Sequence, residues 1–405
     1  MKHEVRELNS HKAADSLVRR LKESPEEDTV KLRFGGSKTY PNGAVPLAAT
    51  LDLLRARGMA VTCDQVPNEI AKTHLLEPLP VSEFSRRFTP ATNTVWKYSS
   101  EAEARRLANL FVEVLQNQVV CEEGVLDTLQ WCLYEALDNV FQHSEAASGY
   151  AMMQLHWQRR LCAISVADTG IGIQRSLWTG IGAGTAKYAL ADVREPHQAV
   201  QFALRQGATR RPNYNQGNGL FGLRRAAELN QGKLAVRSGW GYWALVEGEV
   251  TEQTDRQRPL IDMERHQGTW VDWEVDCSTP VLLRDVLPSK TTRSDVLESI
   301  EVATGFHRVM LNEINKAVGS RNAGTAVRNR LLNYLKAGAP SLVVDFTGFR
   351  GVVSSSFADE VFGKLALELG ELPFRRRVFL ESISETNRAL IERAVQMRLD
   401  EPVAT

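Results

Sequence analysis

Glu135, Asp138, Asn139 and Gln142 recur at i, i+3, i+4 and i+7, the spacing of one helical face. Leu129, Leu133, Ala136 and Val140 take the opposite face. The segment therefore reads as an amphipathic helix with an apolar stripe for a core and a second stripe of carboxylates and amides. A solvated surface is the plain reading of such a stripe. Two glycine-bearing segments further along the chain suggest another: one wall of a nucleotide pocket.

The first of these follows Leu161-Cys-Ala-Ile-Ser-Val-Ala167, a short apolar run rich in β-formers, which reads as a buried strand. It ends in Asp168, and Gly170 and Gly172 then force a tight turn with close backbone approach. A carboxylate at the end of a buried strand is costly unless it meets a donor. A nucleobase amino group is one such donor, and the N–H groups of the turn itself are the alternative. The second segment, Gln216-Gly-Asn-Gly-Leu-Phe-Gly-Leu223, runs into a helix ending at Asn230. Its Gly217, Gly219 and Gly222 spell GxGxxG, but that dinucleotide fingerprint needs a buried strand immediately before it. The preceding Thr209-Arg-Arg-Pro-Asn-Tyr-Asn-Gln216 is no such strand, which argues against a dinucleotide site. Glycines leading into a helix N-terminus still present unpaired N–H groups to an anion. Gly35-Gly-Ser-Lys-Thr39 lacks the spacing of a phosphate loop and reads as a plain turn.

The elements that must carry these residues follow from pattern and punctuation. Residues 1–28 read as polar helix, Thr29–Phe34 as a strand, Pro46–Arg57 as a helix and Met59–Cys63 as a strand, with Pro78, Pro80 and Pro90 marking a linker. Ser99 or Ser100 caps a helix reaching about Val119, with acids in its first turn. The Leu129–His143 helix follows, then strands near 150–157 and 161–167. Residues 173–218 read as a glycine-rich insertion broken by one helix, Pro196–Gln206, and such an insertion suits a functional lid. Strands at Gly232–Ser238 and Gly268–Val275 close the domain, and 279–293 is a linker. Beyond it come helices over 294–317 and 322–337, a strand at Ser341–Phe346, a helix at Phe357–Leu369, a strand at Arg377–Leu380 and a helix at Glu385–Leu399. The fold class expected is α/β (α+β): a two-layer helix-on-mixed-sheet domain flanked by smaller α/β modules. The boundaries expected are 1–92, 96–278 and 285–402.

With 405 residues, 43% apolar and 24% charged, the chain reads as a soluble globular protein with ample core. Lys+Arg and Asp+Glu number 49 each, so a nucleic-acid or anionic-membrane role lacks its usual basic footprint. The start, Met1-Lys-His-Glu-Val-Arg, is polar and reads as no signal peptide, and no run of apolar residues is long enough to span a membrane. Cys63, Cys121, Cys132, Cys162 and Cys277 are scattered without a CxxC pair, which suits free thiols in a cytoplasmic protein better than disulfides or zinc.

Taken in order, Glu135-x-x-Asp138-Asn139, Asp168-x-Gly170-x-Gly172, Gly217-x-Gly219-Leu220 and Gly268-Thr269 resemble the motifs of the GHKL ATPase superfamily. That group holds DNA gyrase B subunits, heat-shock chaperone ATPases, histidine-kinase catalytic domains, mismatch-repair ATPases and anti-sigma-factor serine kinases. The resemblance covers roughly 100–276 and implies ATP and Mg²⁺ as ligands. It implies that Asn139 holds Mg²⁺, Asp168 accepts from the adenine amino group, Gly170 and Gly172 shape the adenine pocket and Thr269 assists Asp168. Gly217, Gly219 and Leu220 would wrap the phosphates, and Glu135 stands where hydrolysing members keep the carboxylate that activates water. Arg210 and Arg211 are the nearest lid cations for the terminal phosphate. Two parts are missing: a phosphoacceptor histidine on a paired helical hairpin, for which His3-Glu4 is a poor match, and the transducer domain of gyrase-like members.

Leu342-Val-Val-Asp-Phe-Thr-Gly-Phe349 followed by Ser354-Ser-Ser-Phe357 resembles a STAS-like domain, the fold of anti-sigma-factor antagonists. The resemblance places Ser354 or Ser355 where antagonists are phosphorylated, although Val353 replaces the usual aspartate and a serine helix cap serves equally well. By its strand–helix–strand order alone, the N-terminal module resembles a degenerate relative of this fold. The expectation is thus a cytoplasmic Mg-ATP-binding regulatory protein. It would hydrolyse ATP or pass its γ-phosphate to a protein serine, or act as a non-catalytic ATP-gated switch. Its partner would be its own or another STAS-like domain, with a homodimer left open and no role for nucleic acid or membrane.

Overall fold

The computed structural model describes residues 1–85, 90–208, 217–287, 294–303, 306–314, 320–349 and 351–400. The chain divides into two compact units, Met1–Phe111 with Leu129–Asp276, and Val112–Thr128 with Cys277–Thr405. Both are mixtures of helix and sheet, and the class is α/β of the α+β kind.

The first unit opens with β1 (Lys2–Val5), α1 (Lys12–Glu23), β2 (Thr29–Phe34), α2 (Pro41–Ala56) and β3 (Ala60–Cys63). The three strands are parallel in the order β1-β2-β3. The helix expected over residues 1–28 is corrected: its first residues form β1. Lys-His-Glu-Val has no apolar alternation to announce a strand, and it becomes one by pairing residue for residue with Lys31–Phe34.

Next come β4 (Leu79–Pro80), β5 (Trp96–Tyr98), α3 (Glu101–Gln118), α4 (Val125–Asn139), β6 (Gly149–His156) and β7 (Leu161–Asp168). They are followed by α5 (Ile173–Gly182), α6 (Pro196–Ala203), α7 (Gly219–Leu229), β8 (Lys233–Ser238), β9 (Gly241–Val246), β10 (Glu249–Thr254) and β11 (Thr269–Asp276). The eight strands β4–β11 form one mixed sheet, ordered β10-β9-β8-β11-β7-β6-β5-β4, antiparallel except at the β4–β5 edge. Pro80 sits in that edge strand, where a missing N–H is tolerated, so part of the expected linker is sheet. Ser100 caps α3: its Oγ accepts from Glu103 N–H at 3.2 Å, and Glu103 Oε2 reaches back to Ser99 N–H at 2.7 Å. The β9–β10 hairpin, which sequence reading did not anticipate, turns on Glu247 and Gly248 with φ of 53° and 81°. Both residues are left-handed, as a two-residue hairpin turn needs, but Glu-Gly is not one of the usual turn signals. The insertion after β7 is more ordered than expected: α5, a turn at Leu190–Val193 and α6 share a small core of Leu177, Val193 and Ala199.

The central sheet is covered on both faces. The register pairs Asp168 with Thr269 and Ala167 with Trp270, and alternation sends the two pairs to opposite faces. Ala167 and Trp270, with Tyr150 and Met152, join the core formed by α1, α2 and the N-terminal strands. Lys97 Nζ on β5 contacts Asp52 of α2 at 2.7 Å, and the Tyr150 hydroxyl donates to the same carboxylate. Strands buried on both faces read as continuous apolar runs, which is the pattern of residues 161–167.

The second unit contains β12 (Glu301–Ala303), β13 (Phe306–Met310), α8 (Arg321–Lys336), β14 (Leu342–Asp345), β15 (Val378–Glu381) and α9 (Glu385–Leu399), with strand order β12-β13-β14-β15. The helices expected over 294–317 are corrected. Among the described residues there, Asp295–Glu298 and Leu311–Ile314 alone are helical, and β13 is claimed by parallel pairing with β14. The expected Phe357–Leu369 helix is the end of a helical run through Ser355–Ala358, Asp359–Gly363 and Lys364–Leu369, stopped at Gly370 with φ 83°. Asn333, 1% exposed, donates to the Gln116 and Val119 carbonyls and accepts from Cys121 N–H. No helix among the described residues is long and apolar enough to cross a membrane.

Trp270 is 7% exposed and Trp157 is 67% exposed. Trp270→Ala is expected to lower the unfolding free energy by about 3–5 kcal/mol, and Trp157→Ala by less than about 0.5 kcal/mol, in urea titrations followed by circular dichroism. Equal losses would contradict the placement of Trp270 in the core.

Candidate functional site

Asp168 lies in a row that crosses four strands: Gly149 of β6, Asp168 of β7, Thr269 of β11 and Ser238 of β8 are register partners in turn. Its Oδ1 accepts from Gly170 N–H at 2.8 Å, and the Thr269 backbone N–H also donates to the carboxyl. Thr269 Oγ1 is 3.0 Å from Ser238 Oγ, which also accepts from Ile173 N–H, at the start of α5, at 2.7 Å. Asp168 is 5% exposed. Burial raises its pKa to about 7, against the two backbone hydrogen bonds that lower it.

The Gly170–Gly172 turn is built by close approach. A Cβ on Gly170 would lie 2.0 Å from the Ser144 carbonyl oxygen, which accepts from Ile171 N–H at 2.8 Å. Ser144 ends a π-turn, Val140–Ser144, that continues α4 directly after Asn139, and such turns recur at functional sites. The Asp168 turn is therefore tied to the end of the helix that carries the polar stripe.

On α4, the expected apolar stripe of Leu129, Leu133, Ala136 and Val140 is buried, and Glu135, Asp138 and Asn139 are half-buried. Asn139 Nδ2 and Asp138 Oδ1 are buried atoms without a hydrogen-bond partner among the described residues. Burial, followed by the charge of Glu101, raises the Asp138 pKa against hydrogen bonding from Gln142 and the charge of Arg105. The start of α7 meets this face: a Cβ on Gly219 would lie 2.8 Å from Glu135 Oε2 and 3.5 Å from Asn139 Nδ2. A larger residue at 219 would require the Glu135 carboxylate to move aside.

Glu135, Asn139 and Gly219 thus meet at one place, and Asp168, Gly170, Gly172 and Thr269 at another. Ser144 and the π-turn join the two. Leu220 is half-buried in the first turn of α7. Gly217, two residues before Gly219, accepts at its carbonyl from Gly207 N–H, just beyond α6, at 3.1 Å. Arg210 and Arg211 fall outside the described residues. Sequence reading missed Ser238 and Ser144, because neither carries a motif and both act through strand register and turn geometry.

The donor set can be tested against Mg²⁺ and ATP. No group of three or more His, Cys, Asp or Glu is clustered as a metal cage among the described residues. The orphan atom of Asn139 is the Nδ2 donor, so the amide would offer a cation its Oδ1 only after turning over; beside a carboxylate and a helix N-terminus it would then fill one place in a shell completed by water and phosphate oxygens. The residues present fit the pair.

In the second unit, Ser354 accepts from Phe357 N–H at 3.1 Å and caps the helical run that follows. The preceding Val353 is 1% exposed, and its N–H donates to Asn387 Oδ1 at 2.9 Å. Residues 323–388 match the family model of a STAS-like domain of unknown function (DUF4325). No curated protein and no solved structure matches the chain. The STAS-like match fits a partner-switching role.

Asp168 carries a pH prediction. Its folded pKa of about 7 lies above the ordinary 3.8, so its ionisation is easier in the unfolded chain and costs stability as the pH rises between those values. Relative to Asp168→Asn, the wild type is expected to lose on the order of 2–4 kcal/mol between about pH 4 and pH 7.5. Urea unfolding of both proteins across that range measures it, and parallel stability curves would sink the assignment.

Proposed function

We propose that the eight-stranded unit is a Mg-ATP-binding domain of the GHKL kind and that it regulates partner switching by the STAS-like domain. One observation carries this reading: the glycine-led start of α7 comes within side-chain contact of Glu135 and Asn139. That contact brings the anion-attracting end of a helix to a carboxylate and an amide in a manner suited to a polyphosphate. The buried Asp168 lies nearby, beyond the π-turn.

Bound Mg-ATP supplies a terminal phosphoryl group primed for displacement. Asn139 is the residue to hold the cation, and a half-turn of its amide presents either oxygen or nitrogen. The N–H groups at the start of α7 face anionic oxygens. Asp168 accepts a proton-bearing amino group, and its own hydrogen bonds from Gly170 and Thr269 keep the carboxyl aimed. Glu135 is the group placed to take a proton from a hydroxyl nucleophile, either water or a serine. Ser354 and Ser355 are candidate serines because they stand at the head of a helical run, where added negative charge is favoured.

The test is incubation of the full chain with γ-labelled ATP. Label on Ser354 or Ser355 marks a serine kinase, released phosphate alone an ATPase, and tight binding with neither an ATP-gated switch. A wild-type protein that binds no ATP overturns the reading. Asn139→Ala is expected to weaken Mg-dependent ATP binding about tenfold or more. Glu135→Ala is expected to keep binding and to lower phosphate release or transfer by about 10²–10⁴. An unchanged rate would remove Glu135 from the chemistry.

A further inference from the structure

The loop between β10 and β11 is anchored on two sides. On one side it holds the Asp168 turn: Gln267 and Gly268 N–H both donate to the Gly170 carbonyl at 2.9 Å, and His266 Nδ1 is 2.8 Å from the Thr169 carbonyl. On the other side it is held by the two N-terminal helices that cover the sheet. Asp15 of α1 accepts from Arg258 Nε at 3.0 Å, and the Arg258 guanidinium lies 4.0 Å over the Trp270 ring. Arg57, at the end of α2, donates to Asp262 Oδ2 at 2.6 Å.

Asp262 is the node of this loop. Its other oxygen, Oδ1, accepts from the N–H groups of Glu264, Arg265 and His266 at 3.0, 2.6 and 3.0 Å. Burial works against its ionisation, but these bonds and the one from Arg57 outweigh it and hold the carboxyl at about 2. Arg57 therefore orients the carboxylate that shapes residues 262–266, and the next two residues grip the Gly170 carbonyl. The path from α2 to the Asp168 turn is short, polar and continuous.

We infer that Arg57, acting through Asp262, is a positioning residue for the Asp168–Gly172 turn, and that the N-terminal α/β module orders the candidate nucleotide site. The pairing of Asp15 with Arg258 anchors the same loop at its other end. The effect on ATP affinity rests on the function proposed above; the ordering of the turn does not.

Amide hydrogen exchange on the ligand-free full chain reads the turn directly. Arg57→Ala is expected to speed exchange in segments 168–173 and 262–268 by roughly threefold to tenfold, with no loss of cooperative unfolding. Lys31→Ala is the control, because Lys31 pairs with Asp64 at 2.8 Å in the same module and is similarly exposed. It is expected to leave both segments unchanged. Arg57→Ala combined with Asp262→Ala should exchange no faster than Asp262→Ala alone, since both remove one path. ATP titration of the same proteins should show a Kd raised by roughly threefold to tenfold in Arg57→Ala, Asp262→Ala and the double variant, and unchanged in Lys31→Ala. Unchanged exchange in Arg57→Ala, or equal acceleration in Lys31→Ala, overturns the inference. If exchange responds while the wild type binds no ATP, the positioning role stands and the nucleotide reading falls.

Discussion

A carboxylate at the end of a strand covered on both faces cannot be left without donors, and the architecture of the first unit follows from meeting that need at Asp168. Its donors are backbone N–H groups from its own turn and from the neighbouring strand. Both require the Gly170 turn to fold tightly and β11 to pair with β7 in one register. A slip of one residue would send Asp168 into the apolar core under α1 and α2 and turn Trp270 to the other face. The extensive apolar contact of that core therefore secures the polar register at the site.

The same demand explains how α4 and α7 are brought to the site. The Gly170 turn leans on the Ser144 carbonyl, so the end of α4 and the end of β7 are packed and hydrogen-bonded together. The π-turn after Asn139 lets the chain reach that carbonyl while keeping Glu135 and Asn139 on one face. The start of α7 then approaches both side chains at a position where no Cβ intervenes. The Gly170–Ser144 contact is backbone against backbone, whereas α7 meets the flexible ends of the Glu135 and Asn139 side chains.

The second unit depends on a comparable buried polar element. Glu360, 2% exposed, is met by Arg328 at 2.9 Å, Lys364 at 2.6 Å and the Thr325 hydroxyl at 3.0 Å. This ties α8 to the helical run that Ser354 caps. Ser354 is thus already engaged by a backbone N–H, so phosphorylation there would exchange one cap for a more highly charged one. The STAS-like match, over 323–388, takes in Glu360, the Ser354 cap and the parallel pair β14–β15.

Much of this protein is written in local pattern. The amphipathic spacing of α4, the apolar run of β7, the serine cap of α3 and the glycines at 170, 172 and 219 are legible because each is a property of neighbours in the chain. Four things are not. Lys2–Val5 has no strand signal, and the pattern over β13 suits a helix; both become strands only because a partner strand offers the hydrogen bonds. The β9–β10 hairpin turns on a Glu-Gly pair that sequence rules do not single out. Ser238, Ser144, Arg57 and Asp262 carry no motif at all, and their roles come from register and from contacts across long sequence separations. Sequence by itself determined which residues could do chemistry, since residue type and local spacing decide what a side chain can donate or accept. Tertiary structure alone decided which of them meet, because hydrogen bonding and packing act through space and not along the chain.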